Sequence, residues 1–378
     1  MHREREALKE GIRAFIASCG TSAADRRERD RWIDTLCAWQ RQHVAAYARW
    51  VEVRGPGDAM WPTALPTEVF RWARVAAHDE SEDRRVFWTS GTTAAERGVH
   101  PFRELDLYDL AAHRAAKQML FGDDRPLHLI VLAPDEGAAP HSSLSYMLSR
   151  FAEWFACRST WLWGEAGLDL EALARSLDQA QRQNEPVGLL GTSFAFVHAL
   201  DALPGSYRLP EGSRIMQTGG FKGRSREIEA PQMRAWLAER FGLPLAAVAA
   251  EYGMTEMSSQ LYELNLFHRD AAEQNFETPE DRVYLVPPWV RATPVDPDTL
   301  QPLAEGERGL LRIDDLANLD SACALQTADL AEALPGGRIR ILGRAPQASP
   351  RGCSLAADDL LREQFAPSQA NPSVKDGS

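Results

Sequence analysis

Five consecutive residues, Thr89-Ser90-Gly91-Thr92-Thr93, form the segment of this sequence best suited to chemistry on a phosphate. Hydroxyl side chains around a central glycine let O–H and backbone N–H groups converge on phosphate oxygens. The run lacks the Gly-Lys-Ser/Thr ending of a Walker loop, and by itself it also reads as a polar surface turn. Far downstream, Glu251-Tyr252-Gly253-Met254-Thr255-Glu256 supplies a complementary set. Tyr252 offers a ring that can stack on a base, and Thr255 a hydroxyl that can reach a phosphate. Glu256 offers a carboxylate that can hold Mg²⁺ through oxygen. The plainer reading of this segment is a strand–loop–helix join capped by a threonine.

These residues need elements to position them. The run Arg85 to Trp88 reads as a strand entering the hydroxyl-rich loop, and Leu127 to Leu132 as a buried strand. Leu144, Met147, Leu148, Phe151, Trp154 and Phe155 fall on one helical face. Helices are predicted over 105–120, 168–183, 193–203 and 227–241. Strands are predicted over 160–163, 187–191, 214–217 and 245–249, the last leading into the Tyr252 segment. Strand–helix alternation of this kind predicts an α/β domain with mostly parallel sheet between helices, whose ligands bind beyond the carboxyl ends of the strands. Residues 1–80 read as a charged helical extension broken at Arg54-Gly55-Pro56-Gly57, and 81–282 as the α/β core. Residues 283–342 read as a β-rich subdomain with a turn at Asp296-Pro297-Asp298. A short segment, 343–365, precedes a polar, proline-containing tail over 366–378 that is expected to be disordered.

Composition narrows the function classes. The 378 residues carry a net charge of -12 with a pI near 5.3, and Lys and Arg form no stripe, which argues against nucleic-acid binding. The five cysteines, Cys19, Cys37, Cys157, Cys323 and Cys353, are scattered without a C-x-x-C pair, so neither a disulfide framework nor a zinc site is expected. Met1 to Glu6 lacks the pattern of a signal peptide, and no apolar run approaches the roughly 20 residues of a membrane helix. A soluble cytoplasmic protein is the expectation.

Taken together, the two segments resemble those of the adenylate-forming enzymes, in which a Ser/Thr/Gly loop and a Tyr-Gly-x-Thr-Glu segment bracket ATP. Leu132 to Leu144, with His141 inside it, resembles the family's segment beside the acyl carboxylate. Thr218-Gly219-Gly220 resembles its adenine-binding turn, Thr327-Ala328-Asp329 its ribose-binding Thr-Gly-Asp, and Gly343-Arg344 the start of its hinge. Two departures stand out: Ala328 replaces the glycine of that triplet, and Ala94-Ala95 stand where glycine is frequent. Within this superfamily the sequence is most similar to the acyl-protein synthetases of the LuxE type. That likeness rests on Val286-Pro287-Pro288-Trp289-Val290-Arg291-Ala292, Asp296 to Pro302, Thr218-Gly219-Gly220-Phe221-Lys222 and Arg351-Gly352-Cys353-Ser354-Leu355.

The resemblance implies an ATP- and Mg²⁺-dependent ligase that activates a carboxylic, fatty acid as its acyl-adenylate. It places phosphates at Thr89 to Thr93, adenine at Gly219, Gly220, Tyr252, Gly253 and Met254, and the metal at Glu256. Thr255, Asp329 and Arg344 complete the nucleotide site. It also implies that Cys353 takes the acyl group as a thioester and passes it to a partner such as an acyl reductase or carrier protein. Arg344 and Arg351 would favour the thiolate. Only 35 residues follow Gly343, so the lysine that usually arrives on a C-terminal domain has no counterpart outside the tail. Lys222 is the candidate to stabilise charge at the α-phosphate, or is a solvated surface lysine. His141 either positions the acid or caps the helix that follows. Two further readings remain open: a CoA ligase of the phenylacetate type, and a non-catalytic subunit that binds nucleotide or acyl ligand.

Overall fold

A computed structural model describes residues 2–58, 61–89, 97–219, 228–263 and 283–345. Strands that read as continuous apolar runs sit in the middle of the molecule. Leu127–Leu132 is buried at every position, and Val187–Thr192 at all but the last. This is the pattern of parallel strands covered on both faces. They pair in parallel with each other, and the parallel set runs Ala156–Trp161, Leu127–Leu132, Val187–Thr192, Arg214–Thr218, Val248–Tyr252. Period-two alternation then sorts their side chains into two cores. Leu129, Val131, Leu190, Met216 and Ala249 join one cluster, while Ile130, Leu132, Leu189, Ile215 and Val248 join the other.

Helices cover both faces. Asp106–Met119 and Ser143–Phe155 pack in the first cluster, and Leu170–Gln183, Ser193–Ala202 and Ala230–Phe241 in the second. Beyond Val248–Tyr252 the same sheet continues antiparallel through Leu261–Glu263, Tyr284–Leu285, Arg338–Arg344, Ala324–Leu334, Arg308–Asp315 and Val290–Val295. Leu65–Pro66 adds to it alongside Leu325 and Gln326. Strands on both sides of residue 283 therefore share one hydrogen-bonded sheet.

The N-terminal helices His2–Ser18, Ala23–His43 and Ala45–Arg54 dock onto the first cluster. Leu8, Ile12, Phe15 and Ile16 make the buried stripe of the first helix at the expected spacing. Ser22 and Asp25 form a capping box at the start of the second, with both reciprocal bonds at 3.1 Å. Buried Arg5 donates from Nε to Asp320 Oδ1 at 2.6 Å, and the Gln40 amide donates to the Asn318 and Leu319 carbonyls at 2.7 and 3.0 Å.

Two strand predictions shift. The run Leu245 to Ala249 opens as a 3₁₀ turn, Leu245–Ala247, after Pro244, and the strand is Val248–Tyr252. Glu251 and Tyr252 are therefore its last residues rather than part of the loop beyond it. The strand placed at 160–163 runs over Ala156–Trp161, directly after the preceding helix. Among the described residues, no helix is long and apolar enough to cross a membrane.

Candidate active site

Tyr252, at the carboxyl end of its strand, donates from its hydroxyl to Asp329 Oδ2 at 2.7 Å. Burial and the Asp329 charge push the phenol well above its ordinary range, so it stays a donor. Asp329 faces Arg344 across the strand ladder, with Arg344 Nε 3.9 Å from its Oδ1. The Arg344 side chain is 78% exposed, which leaves that pair screened and weak. Thr327 fixes the Asp329 backbone: its hydroxyl donates to the Leu311 carbonyl at 2.7 Å and accepts from the Asp329 amide at 3.1 Å. Ala328, by contrast, contributes only backbone, its carbonyl accepting from the Ala345 amide at 2.9 Å.

The base of the hydroxyl-rich loop lies against the same segment. Thr89 clasps Gly98, its amide donating to the Gly98 carbonyl at 2.9 Å and its hydroxyl accepting from the Gly98 amide at 2.6 Å. Ser90, Gly91, Thr92 and Thr93 lie outside the described residues. Thr255 donates from its hydroxyl to the Trp88 carbonyl at 3.3 Å, and its own carbonyl accepts from His100 Nδ1 at 2.7 Å. His100 is fully buried, and desolvation holds it down to about 4, so it is neutral at physiological pH. Nothing in the sequence singled out His100; the only signal was its place in a short strand, Val99–Phe102, just past the loop.

His141 joins this group by its ring. It stacks on Trp88 with centroids 3.7 Å apart and 9° between planes, and its Nδ1 donates to the Val86 carbonyl at 3.0 Å. The helix that follows is capped by Ser142, whose hydroxyl accepts from the Ser145 amide at 3.1 Å, so capping is not the role of His141.

Glu256 is only half-buried as a residue, yet it loses enough solvent that its carboxyl is pushed up to about 7; Glu68 adds to this, and Arg71 and Arg344 oppose it. A carboxylate desolvated to this degree gains most from a cation. Among the described residues no three His, Cys, Asp or Glu side chains cluster as metal ligands. Glu256 is the residue here that could hold a divalent ion through oxygen. Met254 packs partly into the first core cluster. A Cβ on Gly253 would meet Glu251 Oε1 at 2.5 Å, so a side chain there would displace the Glu251 carboxyl.

Glu251 stands in the sequence only as the edge of a motif. It is buried, accepts a hydrogen bond from the Thr218 hydroxyl, and is pushed up to about 7 by desolvation. Next to it, the Ser193 hydroxyl donates its one proton to Gln217 Oε1 at 2.5 Å, with the Gly219 carbonyl 2.7 Å from the same oxygen. Gly219 has φ +71°, a left-handed conformation that glycine adopts without cost. Gly220, Lys222 and Cys353 lie outside the described residues. The structure thus forms two sets, Tyr252 with Asp329 and Arg344, and Thr255 with Trp88, Thr89, His100 and His141, which meet on the segment 252–255.

Residues 57–362 match the family described as Acyl-protein synthetase, LuxE. Two long-chain-fatty-acid–luciferin-component ligases are similar: that of Vibrio harveyi is 24% identical over 77% of this chain and 76% of its own length, and that of Aliivibrio fischeri 22% identical over 80% and 79%. Among solved structures, 2-hydroxyisobutyryl-CoA ligase in complex with 2-HIB-AMP and CoA superposes with a TM-score of 0.57 at 17% identity, over 86% of this chain and 69% of that one. The chain spans about half, 49%, of ATP-bound MatB from Rhodopseudomonas palustris, at a TM-score of 0.49 and 16% identity. The chain belongs to the LuxE acyl-protein synthetase family, a ligase built on the fold of the adenylate-forming enzymes.

Proposed function

We propose that this ligase uses ATP to convert a carboxylic acid into its acyl-adenylate and then transfers the acyl group through Cys353 to a partner protein. The observation that supports this reading is that Trp88 and Asp329 both hydrogen-bond to the segment 252–255 at one end of the sheet, Trp88 through Thr255 and Asp329 through Tyr252. The names of the two relatives support a fatty acid as substrate and a protein as acceptor.

In this reading the Thr89 to Thr93 loop holds the β- and γ-phosphates, adenine lies between the Gly219-Gly220 turn and Tyr252, and Asp329 accepts from the ribose hydroxyls. Gly253, Met254 and Thr255 line the nucleotide on the Tyr252 side, and Arg344 guards its edge. Glu256 would hold Mg²⁺, which neutralises phosphate charge when bound. His141, fixed against Trp88, orients the acid. One carboxylate oxygen attacks the α-phosphorus, the bond from that phosphorus to the bridging oxygen breaks, and pyrophosphate leaves. Lys222 stabilises the charge that builds on the α-phosphoryl oxygens. The Cys353 thiolate then attacks the acyl carbonyl, AMP departs, and the thioester is ready for an acyl-accepting protein such as a reductase or carrier.

The test is to supply ATP with fatty and aromatic acids, to follow pyrophosphate release, and to trace labelled acid onto protein. Acid-dependent pyrophosphate is expected, with hydroxylamine-labile label on the wild type and none on Cys353→Ser. Absence of pyrophosphate with every acid would sink the proposal. Label persisting on Cys353→Ser would remove Cys353 from it.

A further inference from the structure

Beside the nucleotide-side residues lies a cleft of about 70 Å³ at the carboxyl ends of the parallel strands. Its polar side is made by Ser193, Gln217, Thr218, Glu251 and Tyr284, and Met233 contributes to its apolar side. At roughly 10–15 Å³ for each water-sized group, it takes about five to seven heavy atoms. That is the front end of an acid rather than a long alkyl chain.

Two side chains of one strand divide the region between them. Tyr252 sends its hydroxyl to Asp329, whereas Glu251, the residue before it, sends its carboxyl to Thr218 and lines the cleft. Glu251 is 6% exposed, and among the described residues its side chain has one hydrogen-bond partner, the Thr218 hydroxyl. A carboxyl group has capacity for several more donors. Gln217 has its amide oxygen occupied by Ser193, which leaves the amide nitrogen as the end that can donate. A buried acceptor beside a buried donor is poor lining for hydrocarbon, because each polar group would lose water without gaining a partner. The same pair fits a hydroxyl, which donates to one and accepts from the other, or an amino group, which donates to Glu251.

We infer that the acid activated by this chain bears a hydroxyl or amino group within a few carbons of its carboxylate, and that Glu251 and Gln217 select for that group. The inference rests on the adenylation proposed above and specifies its substrate class. The raised protonation constant of Glu251 fits a group kept from bulk water until such a donor arrives.

The test compares chain-matched acids in acid-dependent pyrophosphate release: butanoic against 3-hydroxybutanoic and 4-aminobutanoic acid, and dodecanoic against 3-hydroxydodecanoic acid. Wild type is expected to favour a substituted acid over its plain partner by at least about tenfold in kcat/KM, the discrimination of a site whose buried polar groups need a partner. Glu251→Leu is expected to abolish or reverse that preference while the KM for ATP stays within about twofold, the range of an unperturbed binding step. Should the leucine variant fail to fold, Glu251→Gln keeps the shape and is expected to reduce the preference. Plain acids used as well as their substituted partners by the wild type would overturn the inference and leave adenylation standing. So would a Glu251 variant that raises the KM for ATP and leaves acid preference unchanged, since the cleft would then belong to the nucleotide. No pyrophosphate from any acid would overturn both.

Discussion

Replacing Glu251 by glutamine should make the protein more stable at pH 8 than the wild type and give no such gain at pH 4.5. The Glu251 carboxyl is buried, and desolvation outweighs the Thr218 hydrogen bond, so its protonation constant moves from the ordinary 4.5 to about 7. The folded state therefore binds the proton more tightly than the unfolded chain. Stability from this group is fully present below pH 4.5 and is lost as pH rises to about 7. Each tenfold change in the constant is worth about 1.4 kcal/mol, so the displacement amounts to roughly 3 kcal/mol. Glutamine is neutral at every pH and keeps an oxygen for the Thr218 hydroxyl. The assay is urea unfolding of wild type and Glu251→Gln at pH 4.5, 6 and 8. The difference in unfolding free energy should grow in favour of glutamine by up to about 3 kcal/mol across that range. A constant difference at all three pH values would refute the reasoning, because it would mean that Glu251 does not change its proton occupancy on folding.

Tyr252→Phe removes the 2.7 Å bond to Asp329 and should raise the KM for ATP by about threefold to tenfold, the worth of one hydrogen bond; an unchanged value in steady-state pyrophosphate assays would exclude Tyr252 from nucleotide binding. His100, held down to about 4 from 6.5, contributes stability that is present above pH 6.5 and lost as pH falls through 4. His100→Asn, whose amide can still donate to the Thr255 carbonyl, should therefore flatten the acid limb of the stability curve in urea titrations, and an unaltered limb would contradict this. Asp315 is buried and accepts from the Ser258, Ser259 and Ala317 amides and the Ser259 hydroxyl at 2.7–3.0 Å. Asp315→Ala should cost at least about 3 kcal/mol by leaving those donors unpaired, and a loss below about 1 kcal/mol in denaturant unfolding would refute it.

The parallel half of the sheet was legible because burial on both faces writes itself into sequence as unbroken apolar runs, as at Leu127–Leu132 and Val187–Thr192. The antiparallel half was legible only as texture. Tyr284–Leu285 pairs with Arg338–Arg344, more than 50 residues away, and no local pattern encodes such a partner. The apolar run at Leu245 could not separate a 3₁₀ turn from a strand, since hydrophobicity is common to both; Pro244 was the available cue. In the candidate site, residue types with obvious ligand chemistry, such as Tyr252 and Asp329, stand out by their motifs. The residues that hold them do not. The bonds from Thr255 to Trp88 and from His100 to Thr255 join positions 167 and 155 residues apart. Glu251 was visible as a letter, but its importance comes from desolvation, which is a property of the packed molecule. For His141 the sequence offered capping or contact, and the better cap, Ser142, stood next to it.

The docking of the N-terminal helices sets a condition on how this chain is made. Arg5 and Gln40 close onto Asp320, Asn318 and Leu319, so their partners lie 315 and nearly 280 residues further along. At about 5–20 residues per second, a ribosome needs roughly 15 to 60 seconds to deliver them. Throughout that interval the stripe of Leu8, Ile12, Phe15 and Ile16 has been translated without the far segment on which the helices finally close. The first helices synthesised are thus among the last to be completed.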